Sequence, residues 1–167
     1  MGRRNTAFWS RRHLVVGLAL SCAGPPVPLR AAEGVDPLAP FRWRYRPVLV
    51  FGSPATREAV GAQDTLLREN AAGLWDRDIV VMRINDGPVT LQDETGREVR
   101  HGLQPDRLRA WFRVAPGQFA VILIGKDGGE KFRSQEPVAA EDLFALIDRM
   151  PMRRNEMRRQ DDRRRGR

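Results

Sequence analysis

Apolar positions in this chain fall into short continuous runs, and polar stretches with helical spacing separate them. Pro47-Val48-Leu49-Val50-Phe51 is one such run, rich in β-branched residues and ended by Gly52. A strand that is apolar at successive positions is covered on both faces. Asp78-Ile79-Val80-Val81-Met82-Arg83-Ile84 and Phe119-Ala120-Val121-Ile122-Leu123-Ile124 repeat the pattern. Between the first two runs, Val60, Leu67 and Leu74 recur at spacing seven, with Ala71 in support, which predicts one helix over Pro54–Asp76. Asn85-Asp86-Gly87-Pro88 is a turn, and Val89–Val99 reads as a short hairpin around Asp93-Glu94-Thr95-Gly96. Pro105 opens a short helix in which Leu108, Trp111 and Phe112 share a face. Gly125–Gly129 is a turn, and Glu130–Arg133 begins an antiparallel return. Pro137 leads into a last helix with Leu143, Ile147 and Met150 on one face and Phe144 beside them, and Pro151 is expected to stop it.

The order is β-α-β-(hairpin)-α-β-β-α. Two β-α-β connections, then a β-hairpin and a helix, give an α/β domain with a mixed sheet and helices on both faces. This is the element order of the minimal thioredoxin fold, which places the first strand centrally, between the second and third, and the fourth at an edge. Phe41, Trp43 and Tyr45 alternate with Arg42, Arg44 and Arg46 just before the first strand. We read them as a strand lead-in with one apolar face, in preference to a base-stacking platform.

The ends have a different character. Arg3, Arg4, Arg11 and Arg12 precede the apolar run Leu14–Leu20, and Ser21-Cys22-Ala23 follows. Basic, apolar and small-residue segments in that order predict a signal peptide over residues 1–23, cleaved after Ala23. The apolar run is too short to cross a bilayer, which takes about 20 residues. Arg11-Arg12 also resembles a twin-arginine signal. Ala19-Leu20-Ser21-Cys22 resembles a lipoprotein box without its usual leucine, so lipid anchoring through Cys22 is a competing outcome. Either route predicts an exported protein, periplasmic or secreted. Residues 24–40, rich in Pro, Ala and Gly, read as a linker, 41–152 as the domain, and 153–167 as a basic, disordered tail.

Net charge is +8, but it is unevenly distributed. The leader carries four arginines and no acid, and the tail eight arginines against three acids, which leaves 17 basic and 18 acidic residues between them. A near-neutral domain gives no reason to expect nucleic acid as a partner. The expected partner is a protein or an envelope component, with weak contact to anionic membrane through the tail. Arg153, Arg154, Arg158 and Arg159 are the candidate contacts there, and the apolar core is expected to end near Met150 and Met152.

Four segments carry a more specific resemblance. They are Arg42–Phe51, Trp111-Phe112-Arg113-Val114, Gly125–Lys131 and Ile147–Met157. Together they resemble a family of exported bacterial proteins, domain of unknown function 4174. That family is similar to modules of vertebrate extracellular sushi-repeat proteins and of a coiled-coil-domain matrix protein. The resemblance implies a thioredoxin- or peroxiredoxin-like fold and no established activity; in the extracellular relatives it implies adhesion and matrix association.

Thiol chemistry on such a fold needs a thiolate at the helix N-terminus after the first strand. The only cysteine is Cys22, and the segment Gly52–Glu58 has no sulfur. Ser53 caps the following helix with Pro54 at its first position. Ser53 and Thr56 stay as candidate anion or partner contacts. The main reading is therefore a non-enzymatic exported binding module without a cofactor or a metal. The alternative is a thioredoxin-superfamily enzyme or redox accessory protein using non-cysteine groups near Ser53 and Thr56. His101 reads as a solvated turn residue, and the acid pairs Asp93-Glu94 and Glu141-Asp142 as a turn and a helix start. The glycines of Gly125–Gly129 lie between two strands, where a phosphate cradle does not form.

Overall fold

The computed structural model describes residues 34–92 and 97–166. The proposed leader with Cys22, most of the linker, and the turn at Asp93–Gly96 lie outside the described residues. The elements are β1 (Arg46–Phe51), α1 (Arg57–Arg68), α2 (Ala71–Asp76), β2 (Ile79–Ile84), β3 (Thr90–Gln92), β4 (Glu98–Arg100), α3 (Pro105–Phe112), β5 (Ala120–Ile124), β6 (Glu130–Ser134), α4 (Ala140–Asp148) and α5 (Pro151–Arg165).

One six-stranded sheet runs in the order β4-β3-β2-β1-β5-β6. β1 lies parallel to β2, with Val48 opposite Val81, and antiparallel to β5, with Val48 opposite Leu123. The first strand is central and the return strand lies at an edge, as the element order requires of a thioredoxin-like domain. Alternation along β1 divides the core in two. Val48 and Val50 pack with Leu67, Leu74, Leu143 and Ile147 under α1, α2 and α4. Leu49 and Phe51 face the other way, onto Leu108 and Phe112 of α3. Every residue of β1 is buried, which is why its sequence after Arg46 is apolar without a break.

Four local expectations are corrected. The helix over Pro54–Asp76 is a short 3-10 turn followed by two helices. The break falls at Asn70, whose side chain donates to the Leu66 carbonyl at 3.2 Å and so competes with the backbone ladder. Phe41–Tyr45 is a turn, not a strand lead-in. Trp43 takes φ 64 and donates its N–H to the Lys126 carbonyl at 2.7 Å. Phe41 packs on the α3-side core and against Tyr45, with ring centres 6.4 Å apart, while Trp43 stays 66% exposed, so the three aromatics do not share one face. The domain also begins earlier than residue 41, because Leu38 is buried and Asp36 ties it down by accepting from its N–H at 2.9 Å.

The largest correction concerns the C-terminal run. Pro151 ends α4 but also opens α5, a position that needs no N–H donor. The run from Arg153 is helical through Arg165 instead of disordered, and Arg153 itself is buried. A chain with no apolar face stays helical here because buried ion pairs fix its first turns to the domain.

Candidate functional site

In open α/β sheets, ligands collect outside the carboxyl ends of the strands, which makes the exit of β1 the first place to look. Gly52 follows the strand, and a Cβ there would run into Val60 Cγ2 and stand 2.9 Å from Asn85 Oδ1. This close approach sets the sharp exit of the chain. Ser53 then donates its N–H to Thr56 Oγ1 at 2.9 Å, and the two hydroxyls lie 3.3 Å apart. Ser53 Oγ donates to the Gly117 carbonyl at 3.2 Å, and Thr56 Oγ1 to the Ser53 carbonyl at 3.3 Å. Both hydroxyls are thus engaged in a helix-capping turn, as expected of Ser53 before Pro54. Among the described residues, no histidine or carboxylate hydrogen-bonds either of them.

Arg109 of α3 is buried behind this turn and was not anticipated. Its guanidinium donates to the carbonyls of Gly52 at 2.5 Å and Ala115 at 3.3 Å, and lies 5.7 Å from the Phe51 ring centre. It supplies a donor to the Gly52 carbonyl at the strand end. Its only trace in the sequence is its place beside Leu108, one position off the apolar stripe. Two shallow clefts flank the turn, of about 280 Å³ beside Ser53 and Arg57 and about 490 Å³ beside His101 and Asp106. His101 Nδ1 accepts from the Leu103 N–H at 3.3 Å, and the ring leans on Phe41 at 5.7 Å. It is half-buried rather than solvated. No three metal-ligating side chains converge among the described residues.

The amino end of β1 holds a denser cluster. Arg46 is 1% exposed, donates to the Arg77 carbonyl at 2.8 Å, and reaches both oxygens of Glu156 at 3.1 Å. Lys126 donates to Glu156 at 2.7 Å and to Asp78 at 2.7 Å. Arg153 pairs with Asp76 and with Asp148 at 3.3 Å, and Arg77 holds the other oxygen of Asp148 at 2.6 Å. Burial would push the Glu156 carboxyl up, but the hydrogen bond from Lys126 and the charge of Arg46 outweigh it and hold it below its ordinary value. Asp148 is likewise lowered: burial opposes, and Arg77 and then Arg153 prevail.

Ser53 and Thr56 therefore sit together at one end of β1, and Arg153 lies at the other. Arg153 is buried and spent on ion pairs within the domain. Arg154, Arg158 and Arg159 are exposed on α5, and Arg158 also contacts the Asn155 side chain. The sequence reading missed Glu156 and Arg46. A lone acid three residues after Arg153 in an arginine run was the available signal.

Comparisons with known proteins agree on the domain. The chain is 29% identical over 106 residues to sushi repeat-containing protein SRPX2 of Xenopus laevis, covering 60% of this chain and 22% of that protein. It is 30% identical over 134 residues to coiled-coil domain-containing protein 80 of Danio rerio, covering 72% of this chain and 15% of that one. Human sushi repeat-containing protein SRPX is 28% identical over 116 residues, covering 69% and 25%. The chain thus spans a quarter or less of these relatives. A thioredoxin-fold protein from Helicobacter pylori superposes with a TM-score of 0.42 at 15% identity, covering 63% of this chain and 68% of that one. A family model matches residues 37–156, from just before the buried Leu38 to the buried pairings of Glu156, and the chain belongs to that family, a domain of unknown function (DUF4174).

Proposed function

We propose that the chain is an exported, non-enzymatic binding module that presents the exposed arginines of α5 to an anionic envelope surface. One observation carries the reading. The arginines stand on a helix whose root is fixed to the domain by the buried pairs of Arg153 and Glu156. A basic segment held in one geometry loses less conformational entropy on binding than a free tail. The engagement of Ser53 and Thr56 in the cap weighs against the enzymatic alternative. Export is supported by the order of the first 23 residues and by the resemblance to modules of extracellular proteins. Mass spectrometry of the chain from its host would check it, with an N-terminus at Gly24 or a lipid mass on Cys22 as the supporting results.

The surface reading is tested by cosedimentation with phosphatidylglycerol vesicles, using the parent and a triple variant R154Q/R158Q/R159Q. Each arginine near an anionic surface contributes about 1 kcal/mol, so the triple variant should bind up to about 100-fold more weakly at low salt. The difference should shrink near 0.1 M salt, where screening acts within about 10 Å. Equal binding by both proteins at low salt would remove α5 from the account.

A further inference from the structure

A hollow lies where α4 meets α5, against the β5–β6 turn. An open cavity of about 390 Å³ has apolar walls from Leu146, Met150 and Met152, and its rim carries Arg149 and Lys131. Leu146 and Met150 are only partly buried on the α1/α2/α4-side core, so the cavity opens onto the apolar interior layer. Its volume falls in the range of small-molecule sites, about 300–1,000 Å³.

The charges around it are positive and incompletely matched. Lys131 is held by Asp127 at 2.6 Å, whereas Arg149 is exposed and has no ion-pair partner among the described residues. α5 begins at this cavity with Pro151. Its first turn has no side-chain cap and no acidic residue. The helix dipole there favours an anion, and Arg153 and Arg154 in the same turn do not supply one. A further observation points the same way. Arg46, which also lines the cavity, is 1% exposed, and its Nε–H has no hydrogen-bond partner among the described residues although the rest of its guanidinium is paired. A buried donor of that kind is uncommon.

We propose that this cavity binds an anionic amphiphile: an acyl chain ending in a carboxylate. The chain would lie along Leu146, Met150 and Met152, and the carboxylate would sit between Arg149 and the α5 N-terminus. An apolar wall with a cationic rim suits a ligand with both characters better than either a free anion or a neutral chain. The site is separate from Arg158 and Arg159 of the surface reading and does not depend on that reading.

The test is a titration of the whole protein with decanoate below its micelle concentration, followed by two-dimensional amide NMR. Decanol, acetate and the R149Q variant serve as comparisons. Decanoate should shift amides at Leu146–Met152 and Gly125–Lys131 with saturation. R149Q should weaken it about tenfold, the loss of one charge-assisted hydrogen bond, and decanol should bind about as weakly as decanoate binds R149Q. Acetate should not saturate. R149Q changes an exposed, unpaired side chain, so unchanged amides elsewhere certify its fold. The R158Q/R159Q variant should bind decanoate like the parent, which separates this site from the exposed arginines further along α5. No saturable shift with decanoate at millimolar concentration overturns the proposal. So does equal binding of decanoate and decanol, or of decanoate to parent and R149Q.

Discussion

Replacing Glu156 by Gln should destabilise the domain by about 2–3 kcal/mol, although residue 156 lies on a helix with no apolar face. The carboxylate is the shared acceptor for Arg46 at 3.1 Å and Lys126 at 2.7 Å, whose side chains are 1% and 9% exposed. Removing one member of a buried pair costs about 3–5 kcal/mol, because the charge left behind has no counterpart. Two features bring the figure down. Glu156 is itself 23% exposed, and Asp78 stays on Lys126 at 2.7 Å. For a domain of this size the loss lowers Tm by about 8 °C. Urea unfolding gives the difference directly, provided the slope with denaturant is unchanged. Adding Arg46→Met completes a cycle. R46M removes the cation that E156Q strands, so the double variant should be more stable than the sum of the single effects predicts, by about 1 kcal/mol or more. E156Q within about 0.5 kcal/mol of the parent, or strict additivity, would refute the claim that buried pairs hold α5 to the domain.

Three further outcomes follow from the same structure. Glu156 and Asp148 titrate below their ordinary values of 4.5 and 3.8 in the folded chain, so their stabilisation is complete above those values and is lost as pH falls through the lower folded ones. The gap in urea stability between parent and E156Q should therefore be constant near neutrality and narrow below pH 4.5. Truncation after Met157 should leave the unfolding midpoint close to that of the full chain, whereas truncation after Met152 removes Arg153 and Glu156 and should lower it by more than E156Q does; equal midpoints for the two truncations would contradict the network. Gly52→Ala forces a methyl onto Val60 and Asn85 and should cost about 1–3 kcal/mol in urea unfolding, with an unchanged midpoint arguing that the strand exit yields easily.

Much of the fold was legible because its signal is apolar and local. The runs at Pro47–Phe51, Ile79–Ile84 and Phe119–Ile124 could be placed as buried strands, since a strand covered on both faces reads as a near-continuous apolar run, broken here only by Arg83. Pro105 and Gly125–Gly129 marked a helix start and a turn for reasons internal to their own backbones. The polar architecture was hidden. Arg46 looked like the polar member of an aromatic alternation, yet it is among the most buried side chains, and nothing nearby in sequence reveals that Glu156, 110 positions on, is its partner. Arg109 was hidden in the same way, because its acceptors are main-chain carbonyls of other segments. The helical state of the arginine run depended on those distant pairs, so composition alone favoured disorder. Ser53 was legible as the cap before Pro54, and Thr56 closes the same turn by accepting from the Ser53 N–H. Arg153 was grouped with its exposed neighbours because burial by ion pairing leaves no apolar trace.

The two rims of the sheet limit how this domain can meet other chains. Strand rims offer unpaired backbone to any extended peptide, and proteins guard them with charge or brevity. β6 carries Glu130, Lys131 and Arg133, and Arg133 is held between Glu130 at 2.7 Å and the Phe112 carbonyl at 2.8 Å. β4 has three residues, and its Glu98 reaches back to Arg83 at 3.1 Å. An incoming strand at either rim would have to desolvate these charges or break those bonds before making its first ladder hydrogen bond. Strand exchange and fibril-like stacking are therefore disfavoured for the folded chain.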